Sequence, residues 1–314
     1  MRVTAIAGGT GAAKLLRGLA ACVSGGDLTV IVNTGDDAEV WGLHVSPDLD
    51  TITYALAGRL DVTRGWGVVD ESFRCLGAMA ELGAETWFNL GDRDLATHLH
   101  RTEALRRGTP LSAVTAELGR RFGVSARILP MTDDAVPTRV RVATPRGDDS
   151  WLSFQEYFVR EKAQVEVLEV VYAGAERARP APGVIEALRT ADLIVVCPSN
   201  PVTSIGPVLA VPGVVDALRT TPAPVVAVSP IVGGAAISGP AGALMQARAL
   251  PVSPAGVAQV YAPWLTALVV DRRDQACAPA LLGRGVSPVV ADVIMRDRAD
   301  EVALARRVLG VSDP

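Results

Sequence analysis

Short β-branched runs alternate with longer segments of helical period along most of the chain. Residues 3–7, 28–33, 193–197, 225–229 and 267–271 are such runs, and each ends where a Gly, Pro, Ser, Asn or Asp loop begins. Nearly continuous apolar strands separated by helices predict an α/β fold, a mostly parallel sheet with helices on both faces. Between about residues 60 and 164 the texture changes. Helical segments at 71–83, 94–108 and 111–122 give way to extended runs at 126–129, 138–143 and 165–172. The pattern therefore predicts a core built from residues 1–60 and 165–314, with a smaller α+β portion, residues 61–164, inserted between its halves. A last helix near residues 299–309, with Leu and Val at helical spacing, is expected to close the sheet. Ligands of such sheets bind at the carboxyl ends of the strands, so the polar loops there are the first place to look for chemistry.

Composition narrows the class. Of 314 residues, 49% are hydrophobic and 20% charged, which excludes disorder, coiled coil and collagen-like repeats. The longest apolar stretch, 224–237, is interrupted by Ser229, Pro230, Gly233 and Gly234 and falls short of the roughly 20 residues of a bilayer span. No signal-peptide pattern precedes the first strand, so no membrane partner is expected and the cytoplasm is the expected compartment. A net charge of −4 without a dense basic cluster argues against nucleic acid and for small-molecule chemistry. Lysine stands only at Lys14 and Lys162, against an abundance of arginine, so a lysine inside a glycine loop is conspicuous. Cys22, Cys75, Cys197 and Cys277 form no C-x-x-C pair and read as buried apolar residues in a reducing compartment. His98 and His100, two apart in a helical segment, point in different directions and cannot form the i, i+4 zinc pair of a metalloprotease.

The first strand–helix turn reads GGTGAAKLL, with Gly8, Gly9, Thr10, Gly11 and Lys14. Its glycines admit a phosphate close to a helix N-terminus. It is not a Walker A loop, because Ala13 and Leu15 flank Lys14, and as a dinucleotide fingerprint it lacks the third glycine; a bare tight turn is the bland alternative. The second strand ends in NTGDD, followed by SPDLDT. Asp36, Asp37, Asp48 and Asp50 in these two clusters suit a hard cation such as Mg²⁺ shared with substrate phosphates. The alternative is a helix cap at Asp48 and a solvated turn at Asp36 and Asp37. In NLGDRDLATHLHR, Arg93 either clamps an anion or pairs with Asp92 or Asp94. CPSNPVTSIGPVL offers Ser199, Asn200, Thr203 and Ser204 in a loop stiffened by prolines, and SPIVGGAAISGPAG offers Ser229 and Gly233 beside exposed backbone N–H groups.

These motifs, with RGWG at residues 64–67, LGDRDLATH at 90–98 and LPMTDDAV at 129–136, stand together in an order that resembles the CofD family (FbiA in actinobacteria), the 2-phospho-L-lactate transferases of coenzyme F-420 biosynthesis. The resemblance runs over nearly the whole chain. It implies a Rossmann-like core for the nucleotide, a smaller portion that helps to hold the acceptor, a homodimer, and Mg²⁺-dependent transfer to the ribityl hydroxyl of the deazaflavin FO. The implied donor is a guanosine diphosphate derivative of a small acid, 2-phospholactate or phosphoenolpyruvate; GMP leaves, and F-420-0 or its dehydro form results. On this resemblance Asp50, with Asp36, is the expected catalytic acid, and the four aspartates are the expected metal and FO contacts. Asn89 faces FO at a position where archaeal members carry Lys, and Asp92 and Arg93 beside it are expected to bind substrate. The PSNPVTSIGP and SPIVG loops lie at the nucleotide end. Trp66 or Phe88 is placed to stack on the deazaflavin, with core packing as the competing reading. The arginine-rich composition favours the enolpyruvyl donor. A non-catalytic nucleotide-binding regulator of related fold is the alternative, and it leaves LGDRDLATH without a role. An NAD-dependent oxidoreductase is disfavoured by Lys14 at the third glycine position.

Overall fold

The computed structural model describes residues 1–143 and 148–311. Seven strands form the main sheet: β1 Val3–Ala7, β2 Leu28–Val32, β3 Arg127–Pro130, β4 Leu193–Val196, β5 Val225–Val228, β6 Ala267–Asp271 and β7 Ser287–Ala291. In space they run β3-β2-β1-β4-β5-β6-β7, and every neighbouring pair is parallel. This is the Rossmann-like order, in which the chain leaves β1 in opposite directions on its two sides and opens a crevice between β1 and β4.

Successive residues of each strand serve different cores, as the pleat requires. Val3, Ala5, Leu193, Val195, Val226 and Val269 belong to the core on one face, whereas Ile6, Ile194, Val196, Ala227 and Leu268 belong to the other. The first face is covered by α1 (Gly9–Cys22), α2 (Pro47–Leu56) and the C-terminal helix Arg298–Leu309, through Leu15, Leu19, Leu49, Ile52, Leu304 and Val308. The second is covered by the helices Val184–Thr190, Val214–Thr220 and Pro254–Tyr261. A Cβ on Gly18 would stand 2.1 Å from the Glu301 carbonyl oxygen, so this glycine lets α1 and the C-terminal helix touch backbone to backbone.

All five apolar runs end on the predicted boundary or within a residue of it, and β7 is added as an edge strand that the pattern did not announce. Only Ala291 of its five residues is buried, and Pro288 is tolerated because the strand lies at the edge. The run at 126–129, expected in the smaller portion, pairs with β2 as the opposite edge of the main sheet. The run at 165–172, placed on the core side, pairs instead with Thr138–Ala143, which also pairs with Asp149–Ser153 in a small antiparallel sheet. Strand pairing is non-local and leaves no mark on periodicity, which is why both neighbours were misjudged. Before β3 come α3 (Arg74–Glu81), α4 (Asp92–Arg106) and α5 (Leu111–Arg121), and a hairpin, Ala38–Val40 with Leu43–Val45, packs on α4 through Val40, Val45, Leu90 and Leu95. Residues 144–147 and 312–314 of the two expected portions lie outside the described residues.

Candidate active site

The loops after β1, β2 and β4 meet at the crevice. Asn33, fully buried at the end of β2, ties them together: its Nδ2 donates to Asp48 Oδ2 at 2.9 Å and to the Thr203 carbonyl at 3.2 Å, and its Oδ1 accepts from the Gly35 N–H at 2.8 Å. The Gly9 N–H donates to Asp48 Oδ1 at 2.7 Å and the Gly8 N–H to Ser199 Oγ at 3.3 Å. Close approach explains the glycines, since a Cβ on Gly8 would lie 2.5 Å from Asp48 Oδ2 and one on Gly11 2.4 Å from the Pro198 carbonyl oxygen. Asp48 therefore caps α1 from another helix, and it occupies a donor that the sequence had left for a phosphate. Lys14 reaches the Met295 carbonyl at 3.0 Å.

The four aspartates separate into three environments. Asp36 is 5% exposed and its Oδ1 has no partner; burial, then the charge of Asp48, pushes its carboxyl well above the usual carboxylate range. Burial likewise raises Asp48 to about 6, against the opposing bonds from Asn33 and Gly9. Two buried acids that repel one another, one with an orphaned oxygen, fit a hard divalent cation, which would restore both to the charged form. Asp37 turns away: its Oδ2 lies 3.0 Å from His44 Nε2 and accepts from Ser46 Oγ at 2.8 Å.

Asp50 is held by α4. Arg101, 2% exposed, grips both of its oxygens, with Nη1 donating to Oδ2 at 3.0 Å and Nη2 to Oδ1. His98 lies between two acids, its Nδ1 3.7 Å from Asp50 and its Nε2 3.3 Å from Asp94, which also accepts from Tyr54 Oη at 2.7 Å. Asp50, Asp94 and His98 bring ligand atoms within 4.8 Å of one another. The guanidinium already bonded to Asp50 supplies the positive charge there, so this cluster does not fit a second cation. His100, as its spacing demands, points elsewhere, 3.7 Å from Glu117.

These groups line one cavity of about 570 Å³. Gly8, Gly9, Thr10, Gly11, Lys14, Asp36, Asp48, Asp50, Ser199, Asn200, Thr203 and Ser204 border it, together with Trp66, Phe88 and Asn89. Phe154 and Phe158, stacked with centroids 5.6 Å apart, add an aromatic wall. Five expected residues do not border it. Asp37 is bound as above. Asp92 accepts from Ser72 Oγ and from the N–H groups of Arg74 and Cys75. Arg93 donates to the Val69 carbonyl at 2.9 Å, not to an acid beside it. Ser229 bonds within its own turn to Ile231, and the Gly233 N–H donates to Asp274. A separate hollow of about 640 Å³ along α5 and β3 contains no carboxylate and no histidine.

Asn33, Tyr54, Asp94, His98 and Arg101 were not expected at the site from the sequence, which raised His98 only as half of an excluded zinc pair and Asp94 only as a partner for Arg93; nor were Phe154 and Phe158. Asp94, His98 and Arg101 stand at i, i+4 and i+7 of α4, a polar stripe on a helix face that the fold turns inward, and that spacing was the available signal.

A Rossmann-like sheet whose crevice opens into a cavity lined by acids and aromatic rings defines a small-molecule enzyme of the α/β class. The sequence profile of the family described as 2-phospho-L-lactate transferase CofD matches residues 3–307, and the chain belongs to that family of transferases. It is 44% identical over 315 residues to the phosphoenolpyruvate transferase of Streptomyces griseus, covering 100% of this chain and 99% of that one. It is 38% identical over 307 residues to the 2-phospho-L-lactate transferase of Methanocaldococcus jannaschii, covering 98% and 97%. A solved structure from the UPF0052 family of Bacillus halodurans has the same fold, with a TM-score of 0.64 at 17% identity over 98% of each chain.

Proposed function

We propose that this enzyme transfers a phospho-carboxylate from its guanosine diphosphate derivative to the ribityl hydroxyl of FO, releasing GMP, in coenzyme F-420 biosynthesis. The observation that carries the reading is the single cavity that joins a glycine loop and an acid pair to an aromatic wall. Phosphoryl transfer depends on charge neutralisation and in-line placement more than on a nucleophilic side chain. Asp36 and Asp48 would hold Mg²⁺, which would neutralise charge on the donor diphosphate. Lys14, Thr10, Gly11 and the Ser199, Asn200, Thr203 and Ser204 loop face the nucleotide end. Trp66, Phe88, Phe154 and Phe158 form the surface for the flat deazaflavin, with Asn89 at the rim. Asp50 borders the cavity while its carboxylate is held by Arg101, so it is placed to accept a hydrogen bond, then the proton, from the attacking hydroxyl.

The enolpyruvyl donor is favoured, in line with the names of the Streptomyces relatives at 43–44% identity. The test supplies purified protein with FO, Mg²⁺ and each guanosine diphosphate donor, and identifies the deazaflavin product by mass. Product from the enolpyruvyl donor supports the reading; FO unchanged with every donor overturns it. Light scattering checks the homodimer expected from the resemblance.

A further inference from the structure

Arg101 is a buried charge that does not itself border the cavity, set directly behind an acid that does. Burial works against its guanidinium charge, and Asp50 more than offsets that. A buried ion pair is weak evidence for stability, because apolar residues of similar volume commonly serve a fold as well or better. Its geometry is more specific than its energy. Nη1 and Nη2 take one oxygen of Asp50 each, which fixes the plane of the carboxylate. The same Nη1 faces His98 Nδ1 and the His44 carbonyl, both at 3.4 Å. An arginine only donates, so in any hydrogen bond between these two groups His98 Nδ1 is the acceptor. One side chain thus fixes the orientation of Asp50 and packs against the ring of His98.

We propose that Arg101 is the positioning residue of the transfer reaction, orienting Asp50 toward the acceptor hydroxyl from behind the cavity wall. This rests on the reading of Asp50 given above and deepens it. Lys at position 101 keeps the charge but offers no planar fork, so Asp50 loses its fixed orientation. Misplacement of a reacting group by about 1 Å costs on the order of a hundredfold in rate.

The test compares wild type, Arg101→Lys and Arg101→Ala, the last with and without guanidinium ion at a concentration well below denaturing. Both variants should keep the KM for the guanosine diphosphate donor within about twofold, while kcat falls roughly tenfold to a hundredfold. Guanidinium should restore part of kcat in Arg101→Ala and leave wild type unchanged. A folded Arg101→Lys with wild-type kcat overturns the proposal. So does rescue of thermal stability without rescue of kcat, or failure of both variants to fold even with guanidinium, since each assigns Arg101 to the fold alone. An inactive wild type would instead refute the proposed reaction, and the two failures are therefore distinct.

Discussion

Replacing Asp48 by Asn tests the acidic pocket through its pH dependence. Burial raises this carboxyl from 3.8 to about 6 although Asn33 and Gly9 bond to it. At about 1.4 kcal/mol per pH unit, that displacement amounts to about 3 kcal/mol. The folded protein binds the Asp48 proton more tightly than the unfolded chain does. Stability from this linkage is therefore fully present below pH 3.8 and is lost as the pH rises through about 6. Asp36, also raised, acts in the same direction. Asp94 and Asp271, which are lowered, lose their stabilising contribution in acid instead, so the total profile mixes opposing trends. The difference between wild type and Asp48→Asn cancels Asp94 and Asp271, while Asp36, which the Asp48 charge pushes up, relaxes toward its ordinary value in the variant and adds to the difference in the same direction. Measured by urea unfolding with metal chelated, the variant should gain on wild type by about 3 kcal/mol between about pH 4 and pH 8. Near pH 8, Mg²⁺ at a hundred times its Kd should return about 2.7 kcal/mol to wild type and much less to the variant. A difference that stays flat across this range would refute the argument that Asp48 is a strained, cation-seeking acid.

Gly18→Ala forces a Cβ against the Glu301 carbonyl and should cost about 1–3 kcal/mol by thermal unfolding, with turnover unchanged well below the transition. GDP should bind at least about tenfold more tightly than ADP by calorimetry, because polar groups in the Ser199–Ser204 loop would be left unpaired by adenine at about 1–3 kcal/mol each; equal affinities would count against the nucleotide assignment. Asp50→Asn should lower turnover by about 10²–10⁴. It should also lose about 3–5 kcal/mol of stability, because the amide leaves Arg101 buried without a countercharge. A folded Asp50→Asn with wild-type turnover would remove Asp50 from the chemistry.

What the sequence made legible was local. Strands buried on both faces, such as Val3–Ala7 and Ala267–Asp271, are continuous apolar runs that lose their character at the first loop residue, so their limits could be read directly. The glycine loop and the Ser199–Ser204 loop were legible because short-range chemistry demands Gly and Pro at particular positions. Which strands pair was not legible: Arg127–Pro130 and Val167–Tyr172 each join a partner chosen by the packing of the whole chain. The same limit governed the site. Arg93 is as charged as Arg101 and stands in the more conspicuous motif, yet it bonds to the Val69 carbonyl at the surface. Arg101 is the one that α4 turns inward.

The four aspartates show why proximity in sequence did not predict a shared role. Asp36 and Asp37 are adjacent in a turn that the Asp37 N–H closes on the Thr34 carbonyl, and their side chains diverge, one into the cavity and one toward His44. Asp48 and Asp50 are two apart at the start of a helix, about 200° around its axis; they therefore face different neighbours, the glycine loop and α4. The turn and the helix thus divide one acidic cluster into two buried acids that repel one another, an acid bonded to His44 and Ser46, and an acid held by an arginine. Cation binding and proton acceptance make opposite demands on a carboxylate: the first needs free oxygens near other acids, the second an oriented anion facing a hydroxyl. The proposed function asks both of this site, and a helix and a turn distribute the acids accordingly before any ligand arrives.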